Sequence, residues 1–177
     1  MKKIKFGTDG WRGIIADDFT FSNVVKVAQA IADYYKTQPN REKGLVVGYD
    51  TRFLSFEFAQ ELAGVLMGNN LPVLLSQCDI PTQCISFVVK ERKFPGGVMI
   101  TASHNPPEFN GIKIKGSFGG PATPQITDRI ESFLDKNEIK KISWEEGEKR
   151  ELARKEDLLP PYLEKVTSFL DWEILKT

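Results

Sequence analysis

Cysteine is scarce in this chain. Two residues in 177, Cys78 and Cys84, are too few for a disulfide framework or a metal knuckle. There is a single histidine, His104. Charge of one sign is lacking too. The 24 Lys+Arg balance 24 Asp+Glu, so the basic excess that a dedicated nucleic-acid binder uses to neutralise phosphates is missing. No apolar run approaches the length of a membrane span. The opening Met-Lys-Lys-Ile-Lys-Phe-Gly turns polar before a signal core could form. Internal repeats and low-complexity tracts are absent. These absences point to a reduced, cytoplasmic setting, with neither a membrane nor a nucleic-acid partner. What is present is 41% hydrophobic and 27% charged residues, in a length that suits one domain with a real core and excludes disorder as the main state.

From about Phe21 to Val98 helix-like and strand-like segments alternate. Phe21, Val24, Val25, Ala28, Ile31, Ala32 and Tyr35 share a helical stripe, with Ser22 as the expected N-cap. Pro39-Asn40 breaks it, and Gly44 to Tyr49 is a short apolar run with the character of a buried strand. Ser55 opens a second helix that Gly68-Asn69-Asn70 ends. A strand over Leu71 to Leu75, a helix from Pro81 towards Val89 and a strand over Gly97 to Thr101 come next. Ile112 to Lys115 alternates apolar and polar, as an edge strand or one side of a hairpin does. Pro124 to Leu134 is a fourth helix. Thirteen of the twenty residues over 138–157 are charged, which predicts a connecting segment in the form of a solvated loop or exposed helix. After Pro160-Pro161, Tyr162, Val166, Phe169 and Leu170 form the apolar face of a last helix within 158–177. Three or four strands alternating with helices predict a mostly parallel sheet covered on both faces.

Chemistry concentrates in four places. Thr101-Ala102-Ser103-His104-Asn105-Pro106-Pro107 follows a predicted strand directly, at the sheet edge where ligands of open α/β sheets bind. It holds a hydroxyl, the histidine, an amide and two stiffening prolines. A Ser-His-acid hydrolase is a poor reading, because adjacent side chains diverge and Gly-x-Ser-x-Gly is missing. Phe6-Gly7-Thr8-Asp9-Gly10-Trp11-Arg12-Gly13 is glycine-rich, and Arg12 offers a planar fork suited to phosphate. A tight hairpin with a surface arginine accounts for the same spacing. Tyr49-Asp50-Thr51-Arg52 adds a second arginine after a strand, and Asn110-Gly111-Ile112-Lys113 brings an ammonium group near the serine. A hydroxyl, two arginines and a lysine at one edge point to an anionic, phosphorylated substrate.

The run from Thr101 to Lys113 closely resembles the phosphoserine loop of the α-D-phosphohexomutases, the superfamily of phosphoglucomutase/phosphomannomutase and phosphoglucosamine mutase. Phe6 to Gly13 resembles its N-terminal signature, and Gly48-Tyr49-Asp50-Thr51-Arg52 its Asp-containing second motif. The three occur in family order. The resemblance implies a three-layer α/β/α fold with a mostly parallel, mixed sheet, the first domain of such an enzyme, over residues 1–177. It implies that Ser103 carries a phosphoryl group and passes it to a hexose monophosphate through glucose 1,6-bisphosphate or its mannose counterpart. Ser103 is then also a magnesium ligand, through its hydroxyl or phosphoryl oxygen. Arg12 and Lys113 flank the transferring group, and His104 lines the site or orients the loop. Thr8, Arg12, Arg52, Asn105 and Lys113 are the implied substrate and phosphate ligands.

Three features of the family have no counterpart in this sequence: the Asp-Gly-Asp-x-Asp-Arg magnesium loop, the Gly-Glu-x-Ser-Gly sugar loop and the distal phosphate loop. Full-length members have four domains, so an excised first domain is expected, with three further domains as its partners. Alone it should be catalytically incompetent, bind hexose phosphates weakly and self-associate weakly through the uncovered face of its last helix. Thr101 and Trp11 lean towards glucose and mannose mutases. A phosphoglucosamine mutase, or a free-standing module that binds phosphate or a partner without catalysis, is the alternative.

Overall fold

A computed structural model describes residues 4–171 and 174. Its six strands are β1 (Gly10–Ile14), β2 (Leu45–Tyr49), β3 (Val73–Ser76), β4 (Gly96–Ile100), β5 (Phe109–Gly116) and β6 (Ala153–Glu156). They form one sheet in the order β1-β5-β4-β2-β3-β6. β4, β2, β3 and β6 pair in parallel, whereas β5 runs antiparallel to both of its neighbours, β1 and β4. The helices are α1 (Phe21–Tyr35), α2 (Ser55–Gly68), α3 (Thr82–Glu91), α4 (Pro124–Glu131), α5 (Trp144–Lys149) and α6 (Leu159–Thr167).

Two apolar layers enclose the sheet. Residues of α1 and α2 fill one with Val47, Leu75, Val98, Ile112 and Ile114, and Cys84, Ile85, Val88 and Val89 of α3 fill the other with Val46, Leu74 and Met99. Being covered on both faces, β2 and β4 are buried at every position, which is why they read as unbroken apolar runs. The mixed three-layer α/β/α architecture is the one expected from the sequence. Among the described residues no helix is long and apolar enough to cross a membrane.

Several boundaries and roles differ from the sequence reading. Thr20, not Ser22, caps α1, its hydroxyl accepting from the Asn23 amide at 3.2 Å; Ser22 lies inside the first turn. Two strands have no counterpart in that reading. β1 arises within the glycine-rich signature itself. β6 arises within the charged segment 138–157, of which α5 is the expected exposed helix. At the outer edge of a sheet the backbone ladder suffices to hold a strand whose side chains are charged. β5 is not an edge strand or half of an isolated hairpin. Its polar positions are accommodated inside the sheet because Lys113 pairs with Asp9 and the Lys115 stem is buried. α4 ends at Glu131, three residues early, although Phe133 and Leu134 still pack on the core. In α6 Tyr162 reaches the α3 layer, but Leu163, Val166, Phe169 and Leu170 stay exposed. Residues 172, 173 and 175–177 of the expected C-terminal helix segment lie outside the described residues.

Candidate functional site

The site is built at the carboxyl ends of β2 and β4, neighbours whose last residues, Tyr49 and Ile100, face each other. The Asp50-Thr51-Arg52 turn leaves one and the serine loop leaves the other. Because β5 is reversed, its first residues return to the same edge, and β1 comes with it: Ile14 faces Phe109, and Arg12 faces Gly111. Two glycines permit this convergence. A Cβ at Gly10 would lie 1.9 Å from the Ile112 carbonyl oxygen, and one at Gly111 would be 2.7 Å from that of Thr101. Trp11, 5% exposed, anchors β1 by stacking on Phe19, with ring centroids 4.9 Å apart. Burying a ring of that size is worth roughly 2–3 kcal/mol.

Ser103 is exposed at the tip of the loop and adopts the left-handed conformation, φ 59°. For a residue other than glycine this costs about 1–3 kcal/mol, and such strain persists only where the surroundings over-determine it. Here they do. The Ser103 amide donates to Thr101 Oγ1 at 2.9 Å, and Thr101 is itself buried. The Asn105 amide donates to the Ala102 carbonyl and the Phe109 amide to that of Pro106. Ser103 Oγ and His104 Nδ1 are 3.5 Å apart, at the outer limit of a hydrogen bond. Among the described residues no carboxylate pairs with His104, so the triad that a serine hydrolase requires is not assembled.

Arg12 is exposed and its Nη1 donates to Asn105 Oδ1 at 2.8 Å, joining the glycine-rich signature to the serine loop across 93 residues of sequence. Lys113, two residues inside the same edge, does not extend free into solvent. Its Nζ pairs with Asp9 Oδ2 at 3.0 Å, both side chains being less than one-fifth exposed. Thr8 lies exposed in the adjoining turn.

Arg52 departs from the expected role. Its Nη1 donates to the carbonyls of Pro106 at 2.8 Å and Phe109 at 3.0 Å, and its Nη2 to those of Ser103 at 2.9 Å and Asn105 at 2.6 Å. Its Nε faces Asp50 Oδ2 at 3.5 Å. All five N–H groups are thereby engaged within the protein, and none remains for a substrate phosphate. Asp50 is equally committed: its Oδ1 accepts from the Arg52 amide and from Ser55 Oγ, and Ser55 Oγ accepts from the fully buried Asn110 side chain. Asp9, Asp50, Ser55, Asn110 and Thr101 are thus site residues to which sequence reasoning gave no role. Only Asp9 and Asp50 carried a signal, each lying next to a cation inside a recognisable motif.

Among the described residues no three His, Cys, Asp or Glu side chains come together as a metal site. Ser103 Oγ is one oxygen, and a magnesium ion takes several. The residues present do not by themselves fit the ion.

The family model for phosphoglucomutase/phosphomannomutase, alpha/beta/alpha domain I, matches residues 3–141. A phosphoglucosamine mutase of Prochlorococcus marinus subsp. pastoris is 37% identical over 139 residues, 78% of this chain and 29% of that protein. A phosphoglucomutase of Staphylococcus saprophyticus is 36% identical over 135 residues, 75% of this chain and 24% of that protein. The chain therefore spans less than a third of the length of these relatives. A crystal structure from Thermus thermophilus, described as that of a phosphomannomutase, superposes with a TM-score of 0.83 at 36% identity, covering 97% of this chain and 37% of that one.

Proposed function

Because the chain belongs to the phosphoglucomutase/phosphomannomutase family, as its α/β/α domain I, we propose that it is the phosphoryl-carrying part of a phosphohexomutase. The observation that carries the reading is Ser103, exposed in a strained, fully braced loop that Arg12 reaches from another strand. In the forward half-reaction a free hydroxyl of a hexose 1-phosphate attacks phosphorus in line. The bond from Ser103 Oγ to phosphorus breaks, the bond to the sugar oxygen forms, and the proton leaving the sugar hydroxyl is balanced by one taken up at Ser103 Oγ. The reverse step returns the other phosphate of the 1,6-bisphosphate to the serine, leaving hexose 6-phosphate. Such a transfer needs positioning and charge neutralisation more than a strong base. Arg12 and Lys113 supply cations, Thr8 and Asn105 hydrogen bonds, and His104 lines the loop. Magnesium, when bound, neutralises the phosphoryl oxygens; Ser103 offers it one ligand, and the others belong to the further domains of the longer protein. Two unpaired cysteines agree with a cytoplasmic place for this chemistry.

The expected result is one phosphoryl group on Ser103, found by intact-mass and peptide mapping of the longer protein. Full mutase activity in Ser103→Ala overturns the reading. A phosphoglucosamine mutase is the second reading, favoured by a relative of that name as similar as those named phosphoglucomutase. Parallel assays on glucose 1-phosphate and glucosamine 1-phosphate separate the two. Phosphate binding without any turnover in the longer protein would instead mark a binding module.

A further inference from the structure

The serine loop has little internal structure of its own. Between Ile100 and Phe109 it makes few backbone hydrogen bonds, and Pro106 and Pro107 have no N–H to give. Yet its carbonyls at 103, 105 and 106, with that of Phe109 at the start of β5, all turn towards a single guanidinium. That guanidinium comes from a different strand end, its side chain is 14% exposed, and Asp50 holds it from behind.

We propose that Arg52 is the positioning residue of the serine loop, holding Ser103 in its left-handed conformation by gathering the loop's carbonyls inward. The proposal rests on the reading of Ser103 as phosphoryl carrier and assigns Arg52 no contact with substrate. The geometry has two consequences. In a planar trans peptide the N–H points opposite to the preceding C=O, so turning the Ser103 carbonyl inward turns the His104 N–H outward. A fixed positive charge also lies directly beneath the residue that would carry nearly two negative charges as phosphoserine. A lysine cannot replace it. Three donors on a rotating ammonium do not span four carbonyls, whereas the flat fork does.

The test is amide hydrogen exchange of this chain followed by NMR, in wild type, Arg52→Ala and Arg52→Lys. The amides of Asn105 and Phe109, bonded within the loop, should exchange at least about tenfold faster in both variants, while those of β2 and β3 change little. Low-millimolar guanidinium should restore the loop protection of Arg52→Ala, and ammonium should not. Unchanged loop amides, or loop and sheet amides accelerating together, overturn the proposal. Should Arg52→Ala fail to fold, Asp50→Asn removes only the brace on Nε and should loosen the same amides to a lesser extent. In the longer enzyme Arg52→Lys should lower kcat roughly 10–100-fold, as supporting residues of other sites do, with KM for hexose phosphate unchanged. A raised KM at constant kcat would make Arg52 a substrate ligand and overturn it. Absence of phosphate from wild-type Ser103 would sink the mutase reading but not touch the exchange result, so the two failures are distinguishable.

Discussion

Lys113 and Lys115 stand two positions apart on one side of β5 under opposite conditions. Lys113 has Asp9 as its counter-ion. Lys115 is 6% exposed, and among the described residues no carboxylate pairs with it. Burial holds its ammonium below the ordinary 10.5, Lys113 pushes it further down, and Asp9 opposes both. Between the lowered value and 10.5 the unfolded chain binds a proton that the folded chain does not, so stability rises with pH across that window. Lys115→Met keeps the buried stem and removes the cost of the charge. It should raise the thermal midpoint at neutral pH by about 2–4 °C, the effect of ~1 kcal/mol in a chain of this size, and flatten the alkaline rise. Scanning calorimetry at several pH values checks both. A lower midpoint for Lys115→Met would mean that the charge is compensated after all.

At the scale of elements, β6 shows how a charged segment joins a sheet. The Val73 amide donates to the Leu152 carbonyl and the Gln77 amide to the Glu156 carbonyl, so the backbone ladder supplies the pairing. Glu156 adds a side-chain tie to Arg92, just beyond α3. The Arg92 hydrogen bond, with Arg154 nearby, holds the Glu156 carboxyl below its ordinary 4.5 against the opposing effect of burial. A depressed carboxyl stabilises the fold above its unfolded value and loses that contribution as pH falls through the folded one. Exchange at the Gln77 amide should therefore accelerate below about pH 4.5 in wild type, and Glu156→Gln should abolish most of that acid step. An equal step in the variant would place the acid-labile group elsewhere. The same strand explains what the sequence could and could not disclose. β2, β4 and α2 are legible because burial on both faces, or a helical stripe, leaves a periodic mark. β6 leaves none, since nothing in Ala-Arg-Lys-Glu distinguishes an edge strand from a loop. β1 is hidden because its residues serve the site, with glycines where a strand would ordinarily show β-branched side chains. The identity of the serine loop is legible from its motif. The assignment of Arg52 is not, because a free arginine and one bound to four carbonyls look alike in a sequence.

Taken whole, the molecule offers one wall of a catalytic centre: a serine, an arginine and a lysine on a rigid sheet edge, with no cluster of metal ligands among the described residues. Incubated with glucose 1-phosphate, a trace of the bisphosphate and magnesium, this chain should give no measurable steady turnover. Sustained glucose 6-phosphate formation, followed by a coupled dehydrogenase, would show the wall to be sufficient. The reversal of β5 bears on a different matter, the order of events during synthesis. β1 is the first strand to leave the ribosome, yet its only sheet neighbour begins at Phe109, about a hundred residues later. Until that neighbour emerges, Trp11 and Arg12 have no strand to pair with, while β2, α2 and β3 can already assemble. Non-local pairings of this kind form late because the intervening chain must first be closed. The N-terminal signature, earliest to be translated, is then among the last parts to dock, and Arg12 meets Asn105 only after the serine loop exists. A nascent chain halted before β5 should accordingly expose its first twenty residues to protease, and one halted beyond Gly116 should protect them.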